Sequence, residues 1–234
     1  MTLKALIFDV DGTLAETEEA HRRAFNDTFA AHGLDWAWGR EEYRQLLKTT
    51  GGKERMGAFQ AGLPPGARHL TGDEIAALHR DKTARYGDIL AAGDLELRPG
   101  VADLVAAARA AGLRLAVATT TNLPNVEALA RCCWGKPATG VFDVIAAGDE
   151  VAAKKPAPDV FALALRRLGL PADACLAFED SRNGLMSAMG AGLSVIVTPS
   201  AYTDHEDFTG AAHVLPTLDR AHWPAPLATA LAGG

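Results

Sequence analysis

The chain opens on a short apolar run, Ala5-Leu6-Ile7-Phe8, that stops at Asp9-Val10-Asp11-Gly12-Thr13. A continuous apolar run of this length ahead of a turn signal predicts a strand buried on both faces. From about Glu16 to Gly93 the apolar positions shift to helical spacing, with Ala20, Phe25 and Phe29 on one face and Ile75 and Leu78 on another. Gly51-Gly52 and Leu63-Pro64-Pro65-Gly66 punctuate that stretch, and no strand alternation interrupts it. After Leu97-Arg98-Pro99-Gly100 the pattern alternates helix with strand, and strands are predicted near 113–118, 143–147, 175–178 and 193–197. Alternating segments of this kind, joined by the first strand, predict an α/β fold with a doubly wound parallel sheet. The helical stretch is then an insertion, dividing the chain into a core of residues 1–15 and 96–234 and a helical part of residues 16–95.

The end of the first strand is a chemical site. Residues two apart on a strand share a face, so Asp9 and Asp11 lean the same way beyond its carboxyl end, where open α/β sheets place their ligands. Two like charges in one cleft raise a pKa unless a cation is present, which asks for a hard divalent ion such as Mg2+. The pair also offers two roles, one carboxylate attacking while its neighbour moves a proton. Asp-x-Asp-Gly opens an EF-hand loop as well. Here, however, an apolar strand precedes it, and Thr13-Leu14-Ala15 follows where further oxygen ligands are due.

Three later strand ends carry matching chemistry. Leu113 to Ala118 ends at Thr119-Thr120-Thr121-Asn122, whose hydroxyls and backbone N–H groups suit a phosphate near a helix start, or simply cap that helix. Lys155 precedes Pro156 after the Val144–Ala147 strand, and is either a compact cation for a phosphate or a solvated loop lysine. Leu176-Ala177-Phe178 ends at Glu179-Asp180, acids that suit a metal or merely complement a helix dipole.

Taken in order, Asp-x-Asp-Gly-Thr, a Thr, a Lys before Pro and an acidic pair resemble the four motifs of the haloacid dehalogenase superfamily, most of whose members are Mg2+-dependent phosphohydrolases. The resemblance implies a Rossmann-like core with an inserted α-helical cap domain. It implies that Asp9 attacks phosphorus to form an aspartyl phosphate and that Asp11 serves as acid and then base, while Lys155 and Thr119 hold the phosphoryl oxygens. It places Mg2+ on Asp9, the Asp11 backbone carbonyl and Asp180, with Glu179 as a water-mediated or alternate ligand. The dehalogenases of the family lack an acid at the position of Asp11, so carbon–halogen cleavage is not expected.

Substrate choice should lie in the cap. Thr17 and His21 are four apart and share a helix face, and in the related β-phosphoglucomutase branch their equivalents contact the general acid; capping and solvation are the plainer readings. Glu18 is a candidate for a substrate hydroxyl, and Tyr43 for closing over a sugar. In Thr50-Gly51-Gly52-Lys53-Glu54-Arg55 the glycines admit close approach of a ligand, a helix start adds favourable dipole, and Lys53 and Arg55 add charge for a second phosphate. His79, Lys82 and Tyr86 share a later stripe, with His79 and Lys82 facing either the cleft or solvent. Thr120, Thr121 and Asn122 complete the candidate substrate contacts. Over essentially its whole length the chain also resembles the CbbY group. That implies removal of the 1-phosphate of xylulose-1,5-bisphosphate, a misfire product and inhibitor of Rubisco. A β-phosphoglucomutase-type isomerase, a phosphoglycolate phosphatase and a non-catalytic phosphosugar-binding protein are the alternatives, and the intact Asp9, Asp11, Lys155 and Asp180 set speaks against the last.

Composition narrows the setting. With 234 residues, 48% of them hydrophobic, the chain has enough apolar content for one large domain plus an insert. Its net charge of −6 speaks against nucleic acid as the main partner. No apolar stretch is long enough to span a bilayer, and Asp9 breaks the first run too early for a signal peptide, so a cytoplasmic monomer without a membrane partner is expected. Cys132, Cys133 and Cys175 are read as buried or incidental thiols. The stretch from Thr217 carries no recognisable chemistry, and Pro224-Ala225-Pro226 with Gly233-Gly234 predicts a loosely held tail.

Overall fold

A computed structural model of the chain describes residues 2–93 and 95–232. Strand β1 (Ala5–Phe8) is followed by four helices, α1 (Glu18–Ala31), α2 (Arg40–Leu46), α3 (Gly52–Ala61) and α4 (Gly72–Ala91). The chain continues through α5 (Val101–Ala110), β2 (Arg114–Ala118), α6 (Leu123–Trp134), β3 (Val144–Ala146), α7 (Asp159–Leu168) and β4 (Cys175–Glu179). It ends with α8 (Arg182–Gly190), β5 (Ser194–Val197), β6 (His213–Val214) and α9 (Ala225–Leu231).

The strands form one parallel sheet in the order β3-β2-β1-β4-β5-β6. The chain runs outward from β1 through β2 and β3, then crosses to β4 on the other side. The switch of direction therefore lies between β1 and β4, where this class of sheet opens a crevice. Strand β1 reads as an unbroken apolar run because both its faces are covered. Leu6 and Phe8 pack into one core with Val117 and Phe178, whereas Ala5 and Ile7 pack into the other with Phe161 and Val195. The register pairs Phe8 with Phe178, so the residues that follow each strand emerge side by side.

Helices α1–α4 make a body with its own core. Helix α1 has two apolar edges: Ala20 and Ala24 join the main core, while Phe25 and Phe29 join an aromatic cluster with Trp36, Trp38, Tyr43 and Met56. A capping box of Thr71 and Glu74 starts α4, which returns along α1. The chain leaves the sheet at Ala15 and returns at Leu97, and these two residues bridge one another. The loop after β5 reaches across: Tyr202 packs into the aromatic cluster and its hydroxyl donates to Glu19 Oε2 at 2.6 Å.

One element is missed by the sequence pattern and one expectation fails. Strand β6 escapes the sequence pattern because it is only two residues long and exposed on both faces. The expected loose tail is instead anchored. Trp223 donates its indole N–H to the Leu218 carbonyl at 2.7 Å, and Pro226 sits in the first turn of α9, where a missing N–H costs nothing. Leu227 and Leu231, four apart, then bury one face of α9 in the main core. Gly233 and Gly234 lie outside the described residues. Cys132, Cys133 and Cys175 are free thiols, and among the described residues no helix is long and apolar enough to cross a membrane.

The anchored terminus makes Leu227→Ala costly, by about 2–5 kcal/mol in a urea unfolding series. An unchanged midpoint would restore the tail reading.

Candidate active site

The crevice between β1 and β4 collects the acids of both strand ends. Asp9 follows β1, its N–H bonded to the Phe178 carbonyl at 3.0 Å, while Glu179 ends the facing strand and Asp180 follows it. Two glycines make the crowding possible. A side chain at Gly12, which sits at φ +83°, would meet the Asp180 carboxylate, and one at Gly184 would run into the Glu179 carboxyl group.

Lys155 is the cation that holds this group. Its Nζ donates to Asp9 Oδ1 and Glu179 Oε1, both at 2.6 Å, and all three side chains are buried. Glu179 also accepts the backbone N–H of Asp180 at 3.2 Å, while Thr203 Oγ1 donates to the Asp180 carbonyl at 2.7 Å. Burial alone would drive the Lys155 ammonium toward neutrality, but the carboxylates of Asp9 and Glu179 more than reverse this and hold it above its ordinary value. Burial, and then Glu179, push the Asp9 carboxyl up to about 8 against the opposing pull of Lys155. Burial, Asp9 and Glu179 also raise Asp180 well above the usual carboxylate range.

Three carboxylates against one ammonium leave the site short of positive charge. Ligand oxygens of Asp9, Glu179 and Asp180 lie within 4.8 Å of one another, so they are placed to share one divalent cation. An all-oxygen set of this kind fits Mg2+. The Asp11 carboxylate is not part of it; the side chain turns the other way, so only its backbone is left for the metal role expected from the sequence.

Asp11 faces the helical body. Thr17 Oγ1 donates to Asp11 Oδ1 at 2.6 Å, and His21 Nε2 approaches the same oxygen at 2.9 Å. Thr17 makes no side-chain cap to α1, so its hydroxyl serves Asp11 instead. On the other edge of the ring, His21 Nδ1 lies 2.6 Å from Lys82 Nζ, and the ring stacks on Tyr86 at 4.0 Å. Burial acts upward on Asp11, but His21 and Thr17 outweigh it and bring the carboxyl down to about 2. Burial and Lys82 hold His21 below its ordinary value of 6.5. Its ring is then neutral, donating from Nε2 to an ionised Asp11 and accepting from Lys82 at Nδ1. Burial lowers Lys82 to about 7, and its Nζ rests over the Phe25 and Tyr86 rings.

These groups line one cleft of about 950 Å³, part of it open to solvent. The structure brings Asp9, Asp11, Glu18, His21, Thr50, Gly51, Gly52, Arg55, His79, Lys82, Thr120, Thr121, Asn122, Lys155 and Asp180 to its wall. Burial, and then Lys82, lower His79 to about 3, so it faces the cleft as a neutral ring. Four candidates are not on the wall. Thr119 is wholly buried beneath it, its Oγ1 accepting the Thr121 N–H at 3.1 Å. Glu179 is also wholly buried. Tyr43 stands behind the cleft, donating to Glu18 Oε2 and accepting from Arg55 Nη1, both at 2.9 Å, so it positions those two side chains rather than covering a sugar. Lys53 points to the lip, where Nζ lies 3.4 Å from Asp149 Oδ1.

The wall also includes Lys154, the weaker of the two lysine candidates beside Pro156, and residues that the sequence did not single out. Asp149 lines it from the turn after β3. The strand-end position of Asp149 was the available signal. Asn183 at the start of α8 donates to Thr50 Oγ1 at 3.1 Å and so ties the core to the helical body.

The family model of haloacid dehalogenase-like hydrolases matches residues 3–192. The chain is 60% identical over 217 residues to the protein CbbY of Cereibacter sphaeroides, an alignment that covers 91% of each chain. A crystal structure of CbbY from Rhodobacter sphaeroides in complex with phosphate superposes with a TM-score of 0.92 at 57% identity, covering 97% of this chain and 99% of that one. A mutant of the same protein, solved in complex with xylulose-(1,5)bisphosphate, superposes equally well, at the same TM-score of 0.92. The strand-end acids, the shared lysine and these likenesses agree: the chain belongs to the haloacid dehalogenase-like hydrolases, in their CbbY group, and is a phosphatase.

Proposed function

We propose that the protein removes the 1-phosphate of xylulose-1,5-bisphosphate through an aspartyl phosphate on Asp9, with Mg2+ as cofactor, and so clears an inhibitor of Rubisco. The observation that carries this reading is the division of labour between two carboxylates at one strand end. Asp9 is held by Lys155 beside two further acids, whereas Asp11 is held by Thr17 and His21. The first environment suits a nucleophile and the second a proton carrier.

In this reading Asp9 attacks phosphorus in line with the sugar oxygen, and Asp11 delivers a proton to that oxygen as it leaves. Asp11 then takes a proton from the water that attacks the aspartyl phosphate. Its partners Lys82 and His21 form a hydrogen-bonded line along which a proton can reach it. Lys155 and the wall residues Thr120 and Thr121, supported from beneath by Thr119, receive the phosphoryl oxygens, which supplies the positioning that phosphoryl transfer chiefly needs. Asp9, Asp180 and Glu179, with the Asp11 backbone, would hold Mg2+, which when bound neutralises the carboxylates and polarises the phosphoryl group.

Residues 16–95 act in this reading as a cap that selects the substrate. The second phosphate lies toward Gly51-Gly52 at the start of α3, near Arg55, Lys154 and Lys53, while Glu18 takes a sugar hydroxyl. The tie between Asp11 and the pair Thr17 and His21 also favours a second reading, a β-phosphoglucomutase-type isomerase that withholds its phosphoenzyme from water.

Phosphate release with Mg2+ is to be measured on xylulose-1,5-bisphosphate, ribulose-1,5-bisphosphate, β-glucose-1-phosphate and 2-phosphoglycolate. The expected result is a strong preference for the xylulose compound, lost in Asp9→Asn while the fold is kept. Conversion of β-glucose-1-phosphate to its 6-phosphate without free phosphate would make the protein a mutase.

Metal binding has a separate signature. A carboxyl whose value in the fold lies above its ordinary one favours the folded state at low pH and loses that contribution as pH rises through the folded value. For Asp9 that interval runs from 3.8 to about 8, so the metal-free protein weakens across it. Mg2+ must compete with protons at the same carboxyls, so its stabilisation grows over the same interval. Mg2+ should therefore raise the melting temperature more at about pH 8 than at about pH 5. An equal shift at both, or none, would remove the metal from the acidic cluster.

A further inference from the structure

Asp149 sits in the short turn Gly148–Glu150 that follows β3 and lines the cleft. Its carboxylate is surrounded by cations from two parts of the molecule. Oδ1 lies 3.4 Å from Nζ of Lys53, which belongs to α3, and 3.6 Å from Nζ of Lys154, which belongs to the core loop. Lys154 also reaches Glu54 of α3 at 3.8 Å, and its side chain is largely buried, at 16% exposure. Half of the Asp149 side chain is exposed. Burial would push its carboxyl up, but Lys154 and Lys53 more than offset this and hold it below its ordinary value.

Two lysines that converge on one oxygen form an anion site, and here the anion is part of the protein. We propose that Asp149 holds the place of the substrate's second phosphate: its carboxylate neutralises Lys53 and Lys154 until a dianionic group displaces it. This rests on the two-phosphate reading above and adds to it a residue that sets specificity. A sugar whose far end is neutral leaves the carboxylate in place and gains nothing from the lysines. A sugar whose far end is a phosphate exchanges a single negative charge for a double one, with the three acceptor-rich oxygens that lysines favour. The same resident carboxylate keeps two lysines from repelling each other across the joint between α3 and the core.

The proposal differs from a plain latch. A latch would hold α3 against the core and help every substrate equally, whereas a place-holder opposes only ligands that carry the second phosphate.

The test compares binding of xylulose-1,5-bisphosphate and xylulose-1-phosphate, which lacks the far phosphate, by calorimetry in an Asp9→Asn background, so that turnover does not intervene. The readout is the ratio of the two dissociation constants, monophosphate over bisphosphate, with and without Asp149→Asn. Removing the competing charge should raise that ratio by about fivefold, the scale of partly exposed charge contacts. Asp149→Ala should do the same and guards against an effect peculiar to asparagine. An unchanged ratio, or a lower one, would overturn the proposal. The two-phosphate reading is judged apart from this: it fails if the parent protein shows no preference for the bisphosphate, whatever the Asp149 variants do to the ratio.

Discussion

One buried ammonium shared by two carboxylates is the constraint on which the rest of the site depends. Charges in a protein interior need partners, and Lys155 has Asp9 on one side and Glu179 on the other at 2.6 Å each. Those two acids come from different strands, so the lysine can hold them together only if β1 and β4 are neighbours in register. Asp180 is then drawn in beside a pair that is already fully engaged. Such a cluster is weak as a source of stability, since apolar residues of similar volume would serve the fold better. It makes sense as chemistry, because its shortage of positive charge is what a divalent cation and the electrophilic phosphorus of a substrate supply.

The second acid is governed from outside the sheet. Thr17, His21 and Lys82 all belong to the helical insertion, and they meet Asp11 from above. The position of α1 and α4 therefore decides whether Asp11 has its proton partners, and the nucleophile's surroundings do not. Tyr202 and Asn183 fasten the helical body to the core at other points, through Glu19 and Thr50. In the proposed reading, substrate recognition and proton transfer are thus set by one group of helices, while phosphoryl contact is set by the sheet.

The sheet and its acids were legible in the sequence because the signals are local. An apolar run ending on a carboxylate fixes a strand and a site at once, as at β1 before Asp9 and at β4 with Glu179; Thr119 directly follows β2, and Lys155 lies in the loop after β3. Thr17 and His21 were legible as a pair because four residues make a helical turn. What was hidden depends on contacts between distant segments. Tyr43 reads as a cleft residue from its position, yet the fold turns it inward to hold Glu18 and Arg55. Lys53 and Lys154 become partners of Asp149 only when the core loop meets α3. The terminal helix α9 was obscured because Pro224-Ala225-Pro226 suggests a loop, and the burial of Leu227 depends on a core assembled from the other end of the chain.

The central claim is that Asp9 carries the phosphoryl group between substrate and water. Acid quenching of the Mg2+-loaded protein during turnover of xylulose-1,5-bisphosphate, followed by peptide mass spectrometry, tests it directly. The account predicts one phosphoryl group on the peptide that contains Asp9, absent when Asp9→Asn is treated in the same way. Turnover with no phosphorylated Asp9, or with the phosphoryl group on another residue, would contradict it.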